Sequence, residues 1–468
     1  MQDAASVSVP DPALLPDAGS AVIDVRDGLV DDVVALVEAG QKGMVLNVVT
    51  DLRPADLADL LAHLPEEIAQ QVVRWVPGAD TSDAVAELDS QDRADLLEGL
   101  TTSELVALLD HLDTDDAADV LADIGDDRAE HVLSQLEDAD DVEDLLRYAD
   151  DTAGGLMGTE LVSVPTTATI AEATEAVREN VDIVDPIYAV YVVDDAGRLV
   201  GQVPLSGLLL AQAGTSVMDA LDDDFHSVGV DLDQEAVARV MERYDLVALP
   251  VVSASGRLLG RITIDDVVDV IREEAEEDLQ RAVGIRGDEE LSSSVFAVSR
   301  GRLPWLAIGM AGAFVSGLVI QNFEGALERA IVLATFIPLV TATGGNAAIQ
   351  SAAIAVQGLT SGDLWLADGL KRLGKEMAVA LLNGLVLGLG IGLVVVLMGV
   401  GHPVKLALTV GLTLLTVVVI ATTVGALVPF VLQRAGIDPA SAMGPFVTTL
   451  NDIVGLSVYF AIASLLYL

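Results

Sequence analysis

The chain has 468 residues, no cysteine and a formal net charge of −49 at pH 7. The lack of cysteine excludes disulfides and thiolate metal sites, and the lack of a basic footprint excludes a nucleic-acid partner. The charge is confined to one half, because residues 283–468 carry 9 Lys+Arg and 10 Asp+Glu, while residues 1–282 carry the other 15 and 63. Such asymmetry predicts an acidic half in water and a neutral half in a different environment.

The acidity of the first half has two interpretations. Only 4 Lys accompany 20 Arg, and a high-salt source would also give an acidic surface that is poor in Lys. The number of acidic residues is therefore weak evidence for metal binding, and their positions have to decide. The acidic first residues lack the basic and apolar regions of a signal peptide, so none is expected. Residues 1–20 are predicted to form a flexible tail.

Apolar residues recur every twelve positions between residues 51 and 148. They are Leu64, Val76, Leu88, Leu100, Leu112, Ile124 and Leu136. Ser, Thr, Asp and Glu follow several of them, which is typical of helix starts. One short helix and one turn per twelve residues predicts an all-α solenoid over residues 21–150, with an ordinary helical bundle as the alternative.

A second repeat lies in residues 151–263. Segments 189–201 and 247–260 each read as strand, glycine turn and strand, and the turn glycines Gly197 and Gly256 lie 59 positions apart. This α/β pattern resembles a tandem pair of CBS domains, which often bind adenine nucleotides. Ser206-Gly207 stand where nucleotide-binding relatives carry a basic and an acidic residue, so nucleotide binding is not carried over from the resemblance.

Residues 264–300 are predicted to form an acidic connecting helix and a linker. Apolar residues of the helix fall at helical spacing, and acidic residues lie on the opposite face. Asp266 and Asp269 are three positions apart, and so are Glu274 and Glu277. Either this face is simply solvated, or it shares a divalent cation with another acidic surface, since Mg²⁺ prefers carboxylate oxygens.

Five apolar stretches in residues 301–468 are long enough to cross a bilayer as α-helices. They cover residues 303–321, 330–357, 377–400, 406–433 and 439–467. With the N-terminus inside, most of the flanking Lys and Arg residues lie on the inner side, which favours that orientation. The pattern predicts a multi-pass protein of the plasma membrane with a cytoplasmic N-terminal half and an outer C-terminus.

Two of these stretches are predicted to line a pore. Pro338 and Gly344-Gly345-Asn346 interrupt the second stretch, and polar residues open the fifth. Such backbone is tolerated at membrane depth only against protein or a water-filled cavity. The fifth stretch also holds Asp452, and because a bare carboxylate in the bilayer costs at least about 2.5 kcal/mol, this residue is a functional-site candidate.

The order of solenoid, CBS pair, acidic helix and five spans resembles the MgtE family of magnesium channels. The most specific segments are 344–351, 445–455 and 153–157. The resemblance implies a homodimer in membrane lipid, a pore lined by spans two and five, and gating by cytosolic Mg²⁺. It implies pore binding of Mg²⁺ by Asp452, Asn346, Thr449 and Thr448. It implies regulatory binding of Mg²⁺ by Asp266, Asp269, Glu277, Asp278, Asp233, Glu235, Asp245, Asp83, Asp115 and Asp119.

Two positions depart from the family pattern, since Ile349 replaces a frequent Asn and Gly444 replaces a polar residue. Two other functions stay open from the residues alone. The first is a CBS-regulated transporter of another ion, and the second is a membrane-bound sensor or scaffold that transports nothing. An enzyme is not expected, because the sequence offers no nucleophile–base pair, no His cluster and no Walker motif.

Overall fold

The computed structural model describes residues 27–468, apart from residues 77, 182, 185, 284, 286–294, 361–368, 438 and 443. The chain divides into two compact units, between residues 271 and 272. The first unit holds an array of short helices and two small sheets, and the second holds long apolar helices. Among the described residues of the second unit, five helices are long and apolar enough to cross a membrane, as predicted.

Short helices make up the array in the first unit. They are α1 (Asp27–Glu38), α2 (Lys42–Val49), α3 (Pro54–His63), α4 (Glu66–Trp75), α5 (Ala79–Ala86), α6 (Ser90–Glu98), α7 (Thr102–Leu109), α8 (Thr114–Ala122), α9 (Asp126–Leu133) and α10 (Ala139–Leu145). Helices mostly pack on the helix two further along, as α3 does on α5 and α8 on α10. This stacking is that of the predicted solenoid.

The twelve-residue period marks the turns between these helices. Its residues follow the end of a helix by one to three positions. Leu64, Leu88, Leu100, Ile124 and Leu136 are buried, and Val76 and Leu112 pack against the same core. Each repeat therefore contributes one apolar anchor at its turn, so that neighbouring turns share a continuous core.

Arginines donate hydrogen bonds to carbonyls at the C-terminal ends of α5 and α6. Arg74 donates to the Gly99 carbonyl at 2.6 Å, and Arg128 donates to the Leu97 carbonyl at 3.0 Å. Arg93 donates to the Ala86 carbonyl at 2.7 Å. Carbonyls in the last turn of a helix lack the N–H four residues later that would bond them inside the helix, so a cation there adds a hydrogen bond and suits the helix dipole.

We expect Arg93→Ala to destabilise the solenoid by about 3 kcal/mol, because it leaves the largely buried carboxylate of Asp123 without its ion-pair partner. Arg93 also forms an ion pair with Asp123 at 2.6 Å, and the two side chains are only 11% and 18% exposed. Hydrogen exchange of the amides in α5 and α6 measures the loss. Arg147→Ala is the control, since Arg147 and its partners on α10 are well exposed and should matter little. Equal exchange rates in both variants would contradict the stabilising role of the Arg93–Asp123 ion pair.

Two copies of a three-stranded sheet complete the first unit. The first copy holds β1 (Ser163–Pro165), α11 (Ile170–Glu179), β2 (Ala189–Val193), β3 (Leu199–Pro204) and α12 (Leu205–Leu210), and the second holds β4 (Val228–Gly229), α13 (Gln234–Tyr244), β5 (Ala248–Val252) and β6 (Leu258–Thr263). Helix α14 (Ile264–Ala282) follows β6, and its residues from 272 onward belong to the second unit. In both, the first strand runs parallel to the second and the second antiparallel to the third. Gly197 and Gly256 make the turns with φ of 72° and 79°, as predicted.

The described part of the second unit contains five long helices and one short helix after the end of α14. They are α15 (Val295–Asn322), α16 (Glu324–Arg329), α17 (Ile337–Thr360), α18 (Gly369–Met398), α19 (Pro403–Arg434) and α20 (Pro445–Leu466). Spans one to five correspond to α15, α17, α18, α19 and α20. Helix α19 packs against α17, α18 and α20, which makes it the centre of the unit.

The predicted interruption of span two at Gly344-Gly345-Asn346 is wrong, because α17 is helical throughout these residues. The irregular backbone lies earlier, where a 3₁₀ helix at Ile331–Phe336 leads into α17. Gly344 permits close packing instead. A Cβ atom on Gly344 would lie 2.5 Å from Oδ1 of Asn451 on α20, so only glycine admits that side chain.

Candidate functional site

Three carboxylates of the first unit converge where α8 begins. One oxygen from each of Asp113, Asp115 and Glu160 lies within 4.8 Å of the others. The backbone nitrogen and Oγ1 of Thr114 donate to the two oxygens of Glu160, at 3.0 and 3.1 Å. Glu160 precedes β1, so the start of α8 fixes a side chain from outside the solenoid. The N-terminal dipole of the helix also favours its negative charge.

A fourth carboxylate comes from the start of α14. The backbone nitrogen and Oγ1 of Thr263 donate to Oδ2 of Asp266, at 3.1 and 2.9 Å. The charge of Asp266 acts on both Asp115 and Asp116. The acidic cluster, which we define as Asp113, Asp115, Asp116, Glu160 and Asp266, therefore joins the solenoid to both ends of the sheet region.

Burial and crowding raise the pKa of four aspartates of this cluster and of the neighbouring Asp119. Desolvation, with the charge of Asp266, raises the pKa of Asp116 to about 7. The pKa of Asp115 lies well above its usual range for the same reasons, and desolvation raises the pKa of Asp266 to about 6. Desolvation also raises the pKa of Asp113 and Asp119 to about 6, although both side chains still contact solvent. The half-buried aspartates are Asp115, Asp116 and Asp266. Ionising these three carboxylates together is costly without a cation.

The donor set of the acidic cluster fits a hard divalent cation. It offers carboxylate oxygens, which Mg²⁺ and Ca²⁺ prefer. Two direct ligands of Mg²⁺ lie no more than about 4.2 Å apart, since each bond is about 2.1 Å. A spacing of up to 4.8 Å suits an ion that keeps water in part of its shell or draws the carboxylates inward.

The structure brings some of the predicted regulatory residues together. Asp115 and Asp266 belong to the acidic cluster, and the charges of Asp119 and Asp83 act on Asp116. Asp269 is exposed on α14, and its charge acts on Asp266. These five residues were proposed from the resemblance, and they occupy one acidic region of the first unit.

The other predicted regulatory residues lie elsewhere. Asp233 and Asp245 flank the eleven-residue helix α13, so about 16 Å of helix separates them and one ion does not bridge them. Asp233 caps that helix by accepting from the backbone nitrogens of Glu235 and Ala236, and Asp245 ends it with φ of 52°. Glu235 pairs with Arg239 at 3.3 Å.

Glu277 and Asp278 belong to the second compact unit. Glu277 forms an ion pair with Arg281 one turn later on α14. The linker residues 286–294, which include three acids, lie outside the described residues.

Sequence reasoning missed Asp113, Asp116 and Glu160. The run Asp113-Thr114-Asp115-Asp116 was interpreted as a helix start, which it is. Its density of acids was the available signal for a further role. Glu160 carries no local signal, because only the fold brings it back to α8.

The two predicted pore segments meet in the second unit. Asn451 of α20 is buried, and its Nδ2 donates to the Thr341 carbonyl of α17 at 3.3 Å. It lies against Gly344, two residues before Asn346. The Asn346 side chain is exposed, and Asp452 is half-buried. The contact thus places the segments that carry Asn346 and Asp452 side by side.

The predicted threonines differ in their surroundings. Thr449 packs against α15, since a Cβ atom on Gly312 would lie 2.0 Å from its Cγ2. Thr448 is half-buried on α20. The side chains of residues 445 and 446, which begin the segment, lie outside the described residues.

A further buried charge in the second unit was missed. Glu376 of α18 is 7% exposed, and it contacts Arg372 and Ser351. The sequence interpretation began span three at residue 377, whereas the apolar helix begins at Arg372. Glu376 was therefore assigned to the flank and not weighed as a membrane carboxylate.

Family models match most of the chain. The MgtE model, described as a divalent cation transporter, matches residues 337–462. The model of the MgtE intracellular N domain matches residues 52–151, and the CBS domain model matches residues 153–214 and 217–273.

Curated relatives and a solved structure are similar to this chain. The magnesium transporter MgtE of Thermus thermophilus is 40% identical over 332 residues, which is 70% of this chain and 72% of the relative. The magnesium transporter MgtE of Enterococcus faecalis is 37% identical over the same shares. A crystal structure of the cytosolic domain of the Mg²⁺ channel MgtE in complex with ATP is 35% identical, with a TM-score of 0.48, and covers 51% of this chain and 99% of that one. On the sequence matches, the chain belongs to the MgtE family.

Proposed function

We propose that this protein transports Mg²⁺ across a membrane, and that Mg²⁺ bound by its acidic first unit limits the transport. The relatives at 40% and 37% identity are magnesium transporters by name. The observation that carries the regulatory part is the acidic cluster, in which three carboxylates from two separate segments lie within 4.8 Å. Five membrane-spanning helices agree with a multi-pass transporter.

The proposed ion path runs between spans two and five of a homodimer. Two Asp452 side chains across a twofold axis would attract a divalent cation that keeps most of its water, because Mg²⁺ dehydrates reluctantly. Asn346, Thr448 and Thr449 are the proposed polar neighbours. The contact of Asn451 with Gly344 and Thr341 supports a shared path, since it joins the two segments.

The proposed regulation follows from the charge of the acidic cluster. Without a cation, the ionised carboxylates of the solenoid and of α14 repel one another. A bound Mg²⁺ neutralises them and favours the arrangement in which they converge. The ion shifts the balance between two states because it binds one of them better. Low cytosolic Mg²⁺ would then release the contact and favour transport.

The proposed orientation puts the acidic unit and the N-terminus in the cytoplasm and the C-terminus outside. It is supported by the Lys and Arg residues that flank the spans on that side. In this orientation the acidic cluster is exposed to cytoplasmic Mg²⁺, whose concentration the transport raises. The regulation is then a negative feedback.

The test is Mg²⁺ flux into liposomes that hold the purified protein, with Mg²⁺ varied on the face of the acidic unit. We expect flux to fall as this Mg²⁺ rises. The double variant Asp115→Asn/Asp266→Asn should require about tenfold more Mg²⁺ for the same inhibition, equivalent to about 1.4 kcal/mol of lost binding.

The matched control is Asp31→Asn/Asp32→Asn, which removes the same charge from the exposed face of α1. It should leave the inhibition unchanged. An equal shift in both double variants would attribute the effect to net charge alone, as in the high-salt explanation. Flux without any inhibition would contradict the regulatory part, and no flux would favour a sensor or scaffold.

A further inference from the structure

A buried carboxylate lies inside the membrane unit, away from the proposed ion path. Glu376 of α18 is 7% exposed. Its Oε1 accepts from Arg372, one turn earlier, at 3.0 Å, and its Oε2 accepts from Oγ of Ser351 on α17 at 3.1 Å. Burying a carboxylate at membrane depth is costly, and ionisable residues kept there commonly serve function. Both carboxylate oxygens of Glu376 have partners, so Arg372 and Ser351 together fix the orientation of this side chain.

Helix α18, which carries Glu376, packs closely against α19. Glu376 is followed on the same buried face of α18 by the small residues Ala380, Gly384 and Gly388, which are spaced four apart. A Cβ atom on Gly388 would lie 2.6 Å from the carbonyl oxygen of Gly411 on α19, so the two backbones are in contact there. Small residues at such interfaces permit close van der Waals packing in a bilayer. Helix α18 is therefore fixed on α19.

Span two is held on the side away from Asn346. Ser351 follows Asn346 by five residues, which is about 140° around the helix and about 7.5 Å along it. Ala348 lies on the same far side, and a Cβ atom on Gly425 of α19 would be 2.2 Å from its carbonyl oxygen. The hydrogen bond from Ser351 to the Glu376 carboxylate is thus a further contact on this side, one turn further along α17. Because its acceptor is charged, this hydrogen bond is strong as well as directional.

We propose that Glu376, braced by Arg372, is a positioning residue: through Ser351 it sets the rotation of span two and so the place of the Asn346 amide. The inference rests on the proposed function in that Asn346 lines the ion path. Packing of α17 on α19, as at Ala348, is non-directional, whereas the Ser351 hydrogen bond to Glu376 requires one rotation of the helix. Loss of the hydrogen bond should weaken Mg²⁺ recognition more than it weakens the fold.

The test uses the natural absence of cysteine. Gln350→Cys places one thiol on the exposed face of α17, one turn after Asn346. In this background, Ser351→Ala and Glu376→Gln are compared singly and together in proteoliposomes. The measurements are the labelling rate by a maleimide, the KM and maximal rate of Mg²⁺ flux, and the melting temperature.

We expect Ser351→Ala to raise the KM for Mg²⁺ about tenfold, as fits the loss of one hydrogen bond to a charged group, and to change the labelling rate. The double variant should add little to Ser351→Ala, because both changes act through one contact. The control is Ser316→Ala, since Ser316 is a buried serine of α15 whose hydroxyl has no hydrogen-bond partner among the described residues.

Unchanged labelling and an unchanged KM in Ser351→Ala would overturn the proposal, even if the melting temperature falls. Equal changes in Ser316→Ala would also overturn it. A wild-type protein that carries no Mg²⁺ would contradict the proposed function alone, and the labelling rates would still decide whether Glu376 orients α17. If Glu376→Gln fails to fold, Ser351→Ala, which leaves the ion pair with Arg372 intact, gives the answer.

Discussion

We expect Asp452→Asn to reduce Mg²⁺ flux in proteoliposomes at least about 100-fold, because it neutralises the charge that attracts the cation. The substitution keeps the shape of the side chain and removes its charge. In the proposed dimer, both copies of the charge are lost at once. The helix should remain in place, because the hydrogen bond from the Tyr459 hydroxyl to the Leu333 carbonyl does not involve Asp452.

Two variants sharpen this result. Asp452→Glu keeps the charge but moves it by one methylene group, so it should retain part of the flux and change the preference among Mg²⁺, Ca²⁺ and Mn²⁺. Glu328→Gln removes one charge from the exposed surface of α16 in the same unit and should leave flux unchanged. Full flux through Asp452→Asn, with the protein inserted and folded, would rule out a pore role for this residue.

The second large effect is a dependence of Mg²⁺ binding on pH. Mg²⁺ and protons compete for the same carboxylates. With one group of pKa about 7 and one of about 6, as for Asp116 and Asp266, ionising both makes binding about 20-fold tighter at pH 8 than at pH 6. Calorimetric titration of the purified protein with Mg²⁺ at these two pH values measures this ratio.

Stability without Mg²⁺ should change in the opposite direction. The folded-state pKa values of these acids are raised above the usual carboxyl range, so the folded protein binds more protons than the unfolded chain between about pH 4 and 7. Stability from these groups is therefore present below pH 4 and is lost as pH rises through 6 to 7. Mg²⁺ should restore it at pH 8.

Melting curves with and without Mg²⁺ check this sign. The gap between the two melting temperatures should widen from pH 6 to pH 8, and Asp115→Asn/Asp266→Asn should narrow it. The double variant Asp31→Asn/Asp32→Asn should keep the gap. A gap that is constant with pH would mean that the acidic cluster is not where Mg²⁺ stabilises the protein.

Local patterns predicted the solenoid and the CBS pair because their signals repeat along the chain. The twelve-residue period located the turns, since each turn needs one buried anchor such as Leu100. The paired glycines Gly197 and Gly256 located the hairpins, because their positive φ excludes most other residues. Both features depend on neighbours in sequence, which is why the chain alone reveals them.

The missed features depend on contacts between distant residues. Glu160 reaches Thr114 across 46 positions, and no spacing rule anticipates that contact. Gly344-Gly345 looked like a helix break because glycine weakens isolated helices, whereas in the fold the absent side chain makes room for Asn451. Glu376 was missed because the predicted span began at residue 377, whereas the helix extends back through the charged flank to include Arg372.

The backbone contact between Gly388 and Gly411 should make the tilt of α18 and α19 depend on the thickness of the bilayer. Helices α18 and α19 have 30 and 32 residues, so they are about 45 and 48 Å long, against a hydrocarbon core of about 30 Å. Helices of this length tilt or extend beyond the core. Because no side chain separates the two at the glycine contact, they tilt as a pair and bring Glu376 with them. We therefore expect lipids with longer acyl chains to change this common tilt, and with it the rate of Mg²⁺ flux in proteoliposomes.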